Sequence, residues 1–167
     1  MIYKRYRGDI EEIEPILVFK QRLYTIDKSY TVRYRSYLDK VKDDFKKGKT
    51  HRVLAKSNSM RPFIVGLRDE LTLQQTNKQS FKKGSILLAE LGGLNHVVHR
   101  LVNIEGKDLL LRSDANFDCT EMCKINDIIA EVVAVKRKGK IVRKGSFSWG
   151  YYRYLSYFIQ AFNTMQM

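Results

Sequence analysis

Short runs of β-favouring residues, separated by Gly, Asn or Asp, fill most of the chain after residue 50 and constrain its fold more than any other feature. They read HRVLAKS, DELTLQQ, SILLAEL, NHVVHRLVNI, DLLLRS and IIAEVVAVKRKGKIV. Strands at such spacing are typical of a compact, mostly antiparallel sheet or barrel. Two pairs of runs should form hairpins that turn at residues 105–108 and at Lys138-Gly139. The sequence therefore predicts a mainly β domain of the α+β class, with a barrel-like antiparallel sheet over residues 49–145.

Helical patterns flank this region on both sides. Apolar residues recur at three- and four-residue steps before Gly48, which predicts a helix over residues 30–47. With one or two short strands between residues 16 and 26, this helix forms an N-terminal segment, 1–48, that packs on the core. Residues 146–167 form a predicted C-terminal amphipathic helix, whose aromatic and aliphatic residues fall on one side: Tyr151, Tyr152, Leu155, Phe158, Ile159 and Phe162.

The charge balance indicates an anionic partner. Lys and Arg number 31 against 18 Asp and Glu, so the net charge is +13. The basic run KRKGKIVRK precedes the C-terminal helix, and this combination suits peripheral contact with an anionic membrane through residues 136–162. The leading interpretation of the helix is that it packs its stripe on the core. Membrane contact and docking on a partner protein are the alternatives, and nucleic acid is not the expected partner. Because neither a secretory signal nor a long apolar run is found, we expect a cytoplasmic protein that is either soluble or peripheral at the membrane.

The cysteines exclude a disulfide framework. Cys119 and Cys123 are the two cysteines of the chain, which suits a reducing compartment. No further Cys or His lies at zinc-binding spacing from them, so they are interpreted as reduced thiols. We expect neither a metal nor a cofactor.

The segment KSNSMRPF, residues 56–63, carries a Ser-x-Ser-Met-x-Pro pattern. The blocks GLRDELTL, FKKGSILL, HVVHRLVNIEG, LLLRSDANFD and IIAEVVAVKRKGK follow it in order. Over residues 30–145 the chain resembles the catalytic core of the signal peptidase I and LexA-type serine peptidases. A histidine before Arg100 is similar to the endoplasmic-reticulum and sporulation-type branch, and a chain without an N-terminal anchor resembles soluble bacterial members.

The resemblance implies a set of site residues. Ser59 would be the nucleophile that forms an acyl-enzyme, and His99 would be its general base. Histidine suits this task because an imidazole in water is mostly neutral at cytoplasmic pH. The backbone N–H of Ser59 and the hydroxyl of Ser57 would stabilise the oxyanion, and Met60 and Pro62 would lie against the substrate.

A histidine base needs a carboxylate to orient it, and two candidates remain open. Asp118 corresponds to the later aspartate of the histidine-using branch, and Asp114 is an equal alternative. His96 should face away from His99 and lie at the surface, because odd separations in a strand alternate faces. Asn58, where the family has glycine, should preserve a tight turn because asparagine tolerates positive φ.

The sequence thus predicts a serine endopeptidase that cleaves a leader or precursor peptide through a Ser59–His99 dyad. The alternative is a catalytically inactive, peptide-binding or LexA-like regulatory relative of the same fold. Against an autoproteolytic repressor, residues 1–50 carry no helix-turn-helix pattern, and no Ala-Gly or Cys-Gly site precedes the nucleophile.

Overall fold

In the part of the chain that the structure describes, an antiparallel sheet of eight strands is curled into a half-barrel, with one helix before it and one after it in the chain. The computed structural model describes residues 39–92, 95–116 and 118–164. Residues 39–46 are helical (α1), and the second helix, α2, is Phe147–Thr164. The predicted strands between residues 16 and 26, and the first part of the predicted helix 30–47, lie outside the described residues. The strands are β1 (His51–Leu54), β2 (Glu70–Gln74), β3 (Ile86–Leu91), β4 (Asn95–Glu105), β5 (Asp108–Arg112), β6 (Thr120–Lys124), β7 (Ile128–Arg137) and β8 (Lys140–Arg143).

The strand order is β1-β2-β7-β3-β4-β5-β6, with β8 paired to β7. Every pair is antiparallel, which confirms the predicted mainly β architecture. Strand β7 lies at the centre because it pairs with β2 along one edge and with β3 and β8 along the other. The order leaves β1 and β6 at the two ends of the path.

Both predicted hairpins are confirmed. Strands β4 and β5 pair up to Glu105 and Asp108, and Gly106 between them has φ +63°. Strands β7 and β8 pair up to Arg137 and Lys140, around Lys138 (φ +46°) and Gly139 (φ +80°). Positive φ at both central residues is what a two-residue type I′ turn requires, since its twist matches that of the flanking strands.

Apolar side chains cover both faces of the sheet. Strand alternation places Leu88 and Val98 in one cluster and Leu87 and Val97 in another. The first cluster also receives side chains from both helices, and we call it the helix-side core. The second cluster, the far core, consists of Leu87, Ala89, Val97, Leu101, Leu109, Leu111 and Cys123.

Helix α2 divides its aromatic residues between two faces. Trp149 and Tyr152 pack on Phe63, with ring centroids 4.9 and 4.8 Å apart. The predicted stripe is divided between these faces, since Tyr152 packs on Phe63 whereas Tyr151 is exposed. The side chains of Ile159 and Phe162, which also belong to the predicted stripe, lie outside the described residues. Four aromatic side chains are exposed: Phe147, Tyr151, Tyr154 and Phe158. Among the described residues, no helix has the length and apolarity to cross a membrane.

Candidate active site

The two predicted oxyanion donors lie together in the loop between β1 and β2. The Oγ atoms of Ser57 and Ser59 are 2.9 Å apart and hydrogen-bonded. The backbone N–H of Ser59 also donates to Ser57 Oγ at 3.4 Å. Both serines are half-buried, so a ligand at the surface can reach them.

A contact between Asn58 and Gly66 shapes this loop. The Gly66 N–H donates to Asn58 Oδ1 at 3.0 Å. A Cβ atom on Gly66 would lie 2.4 Å from the Lys56 carbonyl oxygen, so only glycine allows the two chain segments to approach so closely. Asn58 itself is not among the described residues with positive φ, which corrects the expected reason for asparagine here. Its side chain, not its backbone freedom, secures the turn.

The carbonyl oxygen of Ser59 joins the loop to the sheet. It accepts hydrogen bonds from Ser113 Oγ at 2.5 Å and from the Ala115 N–H at 2.9 Å. These donors lie in the turn between β5 and β6. The turn therefore fixes the predicted nucleophile against the ends of these strands.

His99 lies on β4 and is 4% exposed. Arg100 pairs with Arg112, so the next residues, His99 and Ser113, lie side by side at the end of β5. Strand alternation places His99 on the face that also carries Leu101. Ser113 also donates to the Ser59 carbonyl. It thus links Ser59 to the end of β5, next to the part of β4 that carries His99. No hydrogen bond joins Ser59 to His99 in the contacts of the described residues.

The carboxylate that contacts His99 is Glu121, on β6. Its Oε2 is 2.5 Å from His99 Nδ1, and its Oε1 accepts from Cys119 Sγ at 3.4 Å. Burial, together with the nearby Glu121 charge, raises the pKa of the Cys119 thiol, so the thiol stays protonated and donates. Sequence reasoning missed Glu121 because it considered only the two aspartates of the preceding turn, whereas Glu121 lies in the following strand, TEMCK.

The two aspartates predicted to orient His99 have other surroundings. Asp114 is buried and accepts from Arg100 Nε at 2.8 Å and Nη2 at 2.5 Å. Asp118 is exposed, and its N–H donates to Asn116 Oδ1 at 3.2 Å. Among the described residues Asp118 forms no ion pair with His99. The structure thus brings neither aspartate into the position that Glu121 occupies.

His96 is 1% exposed, so its predicted position at the surface is wrong. The strand alternation behind that prediction does not make it a surface residue, because both faces of β4 are covered. Its Nε2 lies 3.9 Å from Glu90 Oε2 on the adjacent strand.

A small cavity of about 20 Å³ opens beside Ser59. Met60, which is 2% exposed, lines it, while Pro62 is half-buried in the following turn and is not part of the lining. Lys56 also borders the cavity, and burial lowers the pKa of its amine. The remaining lining is mostly apolar: Val53, Leu54, Ala55, Ser57, Ile64, Leu71 and Val98.

No protein-family model matches the chain, and no curated protein matches it either. Within residues 39–92, 95–116 and 118–164, no group of three or more His, Cys, Asp or Glu side chains is placed to hold a metal ion. Cys119 and Cys123 are free thiols. The functional interpretation therefore depends on the residues and contacts of the site itself.

Proposed function

We propose that the chain is a serine endopeptidase of the signal peptidase and LexA type that cleaves a leader or precursor peptide. Ser59 is the nucleophile, His99 the general base and Glu121 the carboxylate that orients His99. The observation that carries the proposal is the 2.5 Å contact between His99 Nδ1 and Glu121 Oε2, at the strand ends to which Ser113 ties Ser59.

The contacts support a division of tasks. With Nδ1 held by Glu121, the neutral imidazole leaves Nε2 free to accept the Ser59 proton as Oγ attacks the peptide carbonyl. The carboxylate stabilises the imidazolium, which then gives its proton to the leaving amine. Water releases the acyl group by the reverse proton transfers. The Ser59 N–H and the Ser57 hydroxyl, which lie together, donate to the oxyanion.

The position of β1 at the end of the described strand path supports a mode of substrate binding. An extended peptide can add to an exposed sheet edge through main-chain hydrogen bonds, while a pocket selects one side chain. β1 ends the strand path and leads directly into Ser57 and Ser59. The small apolar cavity beside Ser59 would accept a small apolar side chain next to the scissile bond.

A second candidate is a peptide-binding relative without catalysis. One observation favours it: Ser59 Oγ is hydrogen-bonded to Ser57 Oγ, not to an imidazole. In a peptidase, Ser59 must turn from Ser57 towards His99 when the substrate binds, and catalytic hydrogen bonds commonly tighten only in that complex.

Digestion of a proteome-derived peptide library, read by mass spectrometry, distinguishes the two candidates. The wild-type chain should generate new termini after small apolar residues, and Ser59→Ala should reduce their formation by several orders of magnitude. Ser148→Ala removes an exposed hydroxyl of α2 and should leave cleavage unchanged. If the wild-type chain cleaves no peptide, but wild type and Ser59→Ala both retain peptides from the library, the result supports the peptide-binding relative. Equal cleavage by both refutes Ser59 as nucleophile.

A further inference from the structure

Helix α2 presents an aromatic face to solvent. Phe147, Tyr151, Tyr154 and Phe158 are 92, 56, 76 and 71% exposed. Their spacing of four, three and four residues places them on one side of the helix. The opposite side carries Trp149 and packs on the helix-side core. We call the four exposed side chains the aromatic stripe.

A basic cavity adjoins the first turns of the same helix. It measures about 420 Å³ and lies between α2 and the turn that precedes β3. Lys82, Lys83, Lys144 and Arg153 supply its cationic groups. The rest of the lining is small or polar apart from Trp149: Gln79, Gly84, Ser85, Gly145, Ser146, Trp149 and Gly150.

Three of these cations are available for an anionic ligand. Lys144 is bound by the buried carboxylate of Glu131. Lys82, Lys83 and Arg153 are exposed, and among the described residues none of them has an acidic partner. No carboxylate of the described residues therefore neutralises these three side chains around the cavity.

Gly84 holds Arg153 at the cavity wall. A Cβ atom on Gly84 would lie 2.6 Å from Arg153 Nε, so the guanidinium packs directly on the glycine backbone. Gly84 has φ +95°, a conformation that favours glycine on its own account. The close approach places a guanidinium, which suits phosphate oxygens, beside the two lysines.

We propose that the aromatic stripe and the basic cavity together bind the surface of an anionic phospholipid membrane. With the stripe facing the acyl boundary, α2 lies in the membrane plane, as amphipathic helices do. Arg153 and Gly150 lie on the flank of the helix between the stripe and the core face, so the cavity is then level with the headgroups. One lipid phosphate can enter the basic cavity while the aromatic rings remain among the lipid acyl chains below it.

Charge and shape favour this occupant over two others. A second copy of the chain would carry the same +13 charge and the same cations into the contact. Nucleic acid would engage the cations but would leave the aromatic stripe outside the charged cavity. A bilayer with anionic headgroups and an apolar interior meets both features at once.

Sedimentation of the full chain with vesicles tests the proposal. One preparation contains phosphatidylcholine alone, and the other also contains phosphatidylglycerol. The chain should bind the anionic vesicles and be partly released at high salt, since salt screens the cations but not aromatic burial. Ser59→Ala should bind equally, which keeps the result separate from that for catalysis.

Two sets of substitutions separate the cavity from the stripe. Replacing Lys82, Lys83 and Arg153 by Gln should weaken anionic binding on the order of one hundredfold, at about fivefold for each cation. A matched control, Lys42→Gln, Lys47→Gln and Lys107→Gln, removes three exposed charges elsewhere and should weaken it much less.

For the stripe, Tyr154→Ser with Phe158→Ser should remove the salt-resistant fraction of binding. Its matched control, Met122→Ser with Ile125→Ser, changes two exposed apolar residues away from α2 and should not. Substitution is preferred to deletion because Trp149 belongs to the core.

Each other outcome overturns the proposal. Equal binding to neutral and anionic vesicles excludes the cavity as a lipid site. Release by inorganic phosphate, with the stripe variant unaffected, indicates a free phosphate ligand. Indifference to both vesicles, with cavity-dependent binding of a single-stranded oligonucleotide, indicates nucleic acid. Indifference with a stripe-dependent dimer in analytical ultracentrifugation indicates a second copy.

Discussion

Three carboxylates lie close together in the sequence, and their different surroundings indicate different roles: Asp114, Asp118 and Glu121. Asp114 is buried against a guanidinium, Asp118 is exposed to water, and Glu121 contacts an imidazole. Loss of a buried carboxylate that is bound by arginine destabilises a fold, because it leaves the arginine charge buried and unpaired. A carboxylate on a histidine ring nitrogen instead selects the tautomer that can act as a base.

Glu121→Gln is expected to lower the rate of peptide cleavage by up to about 10⁴-fold, because an amide no longer fixes the His99 tautomer or stabilises its cation. The measurement is the initial rate on a peptide cleaved by the wild-type chain, together with the thermal unfolding midpoint. Glu121→Asp should restore part of the rate, and Asp118→Asn should leave it unchanged. A loss confined to Asp118→Asn would assign the orienting task to Asp118.

A variant of Lys56 is the control for the assignment of His99 as general base. Replacing His99 by Ala should remove most of the cleavage rate, and the residual rate should lack the acidic limb of the pH profile, since proton acceptance by imidazole is lost. Lys56→Met removes a titratable side chain that borders the cavity beside Ser59 and should keep that limb of the pH profile. If Lys56→Met is the inactive variant and His99→Ala is not, a lysine with a lowered pKa is the base.

Asp114→Asn is expected to destabilise the fold by about 3–5 kcal/mol, because Arg100, 1% exposed, loses its counter-charge. Urea unfolding followed by tryptophan fluorescence measures the change. The control is Asp108→Asn, whose pair with Lys124 is more exposed and should contribute less than about 1 kcal/mol. Equal effects of the two substitutions would contradict a structural task for Asp114.

At the scale of secondary-structure elements, the sequence predicted the features that depend only on neighbouring residues, such as the two hairpin turns. Lys138-Gly139 encodes its turn through two residues of positive φ, and Gly106 supplies one such residue in the turn of the other hairpin. The His99–Glu121 contact depends on the registers of β4, β5 and β6, which residue spacing does not give. The carboxylate that contacts His99 therefore lies three positions after Asp118 and seven after Asp114.

Burial was harder to predict than strand position. His96 is buried because the curled sheet has a core on each face, a property of the whole sheet rather than of β4. The faces of α2 depend likewise on Phe63, which lies in the loop after Ser59 and sets which aromatic rings turn inward.

One ion-pair network joins that loop to β7 and α2. Asp69 is fully buried and accepts hydrogen bonds from Arg68 at 2.7 Å and from Arg137 at 3.0 Å. Arg137 also donates to the Phe63 carbonyl and to the Tyr152 hydroxyl. Burial alone would raise the pKa of Asp69, but the bonds from Arg68, Arg137 and the Val65 N–H hold it below its ordinary value of 3.8.

This lowered pKa predicts a pH dependence of stability. Above pH 3.8 the carboxylate is ionised in both states, so its full contribution is present; as the pH falls, the unfolded chain takes up the proton first and the contribution is lost. Asp69→Asn should therefore cost about 3 kcal/mol at pH 7 and progressively less below about pH 4. Urea unfolding of both chains across this range measures it. Asp43→Asn, an exposed control, should show little effect at any pH, and a constant Asp69→Asn difference would contradict the assignment.

At the scale of the whole molecule, α2 belongs to the core and to the surface at once. Trp149 is 7% exposed and packs on Phe63, and Tyr152 is tied to Arg137. The aromatic stripe on the other side leaves the fold free to contact a membrane without unpacking this core. The loop after Ser59, α2 and β7 therefore form one packed unit, in which the helix completes the fold that carries the candidate site.

Two truncations separate these contributions. A chain ending at residue 145 loses Trp149 and Tyr152, so it should lose more than about 3 kcal/mol of stability, as large aromatic deletions in cores do, and expose apolar surface. A chain ending at residue 155 keeps both side chains and should unfold near the wild-type urea midpoint. Urea unfolding and binding of the dye ANS measure the two effects. An unchanged midpoint after removal of residues 146–167 would show that α2 is an appendage, and equal losses from both truncations would place its stabilising contacts beyond residue 155.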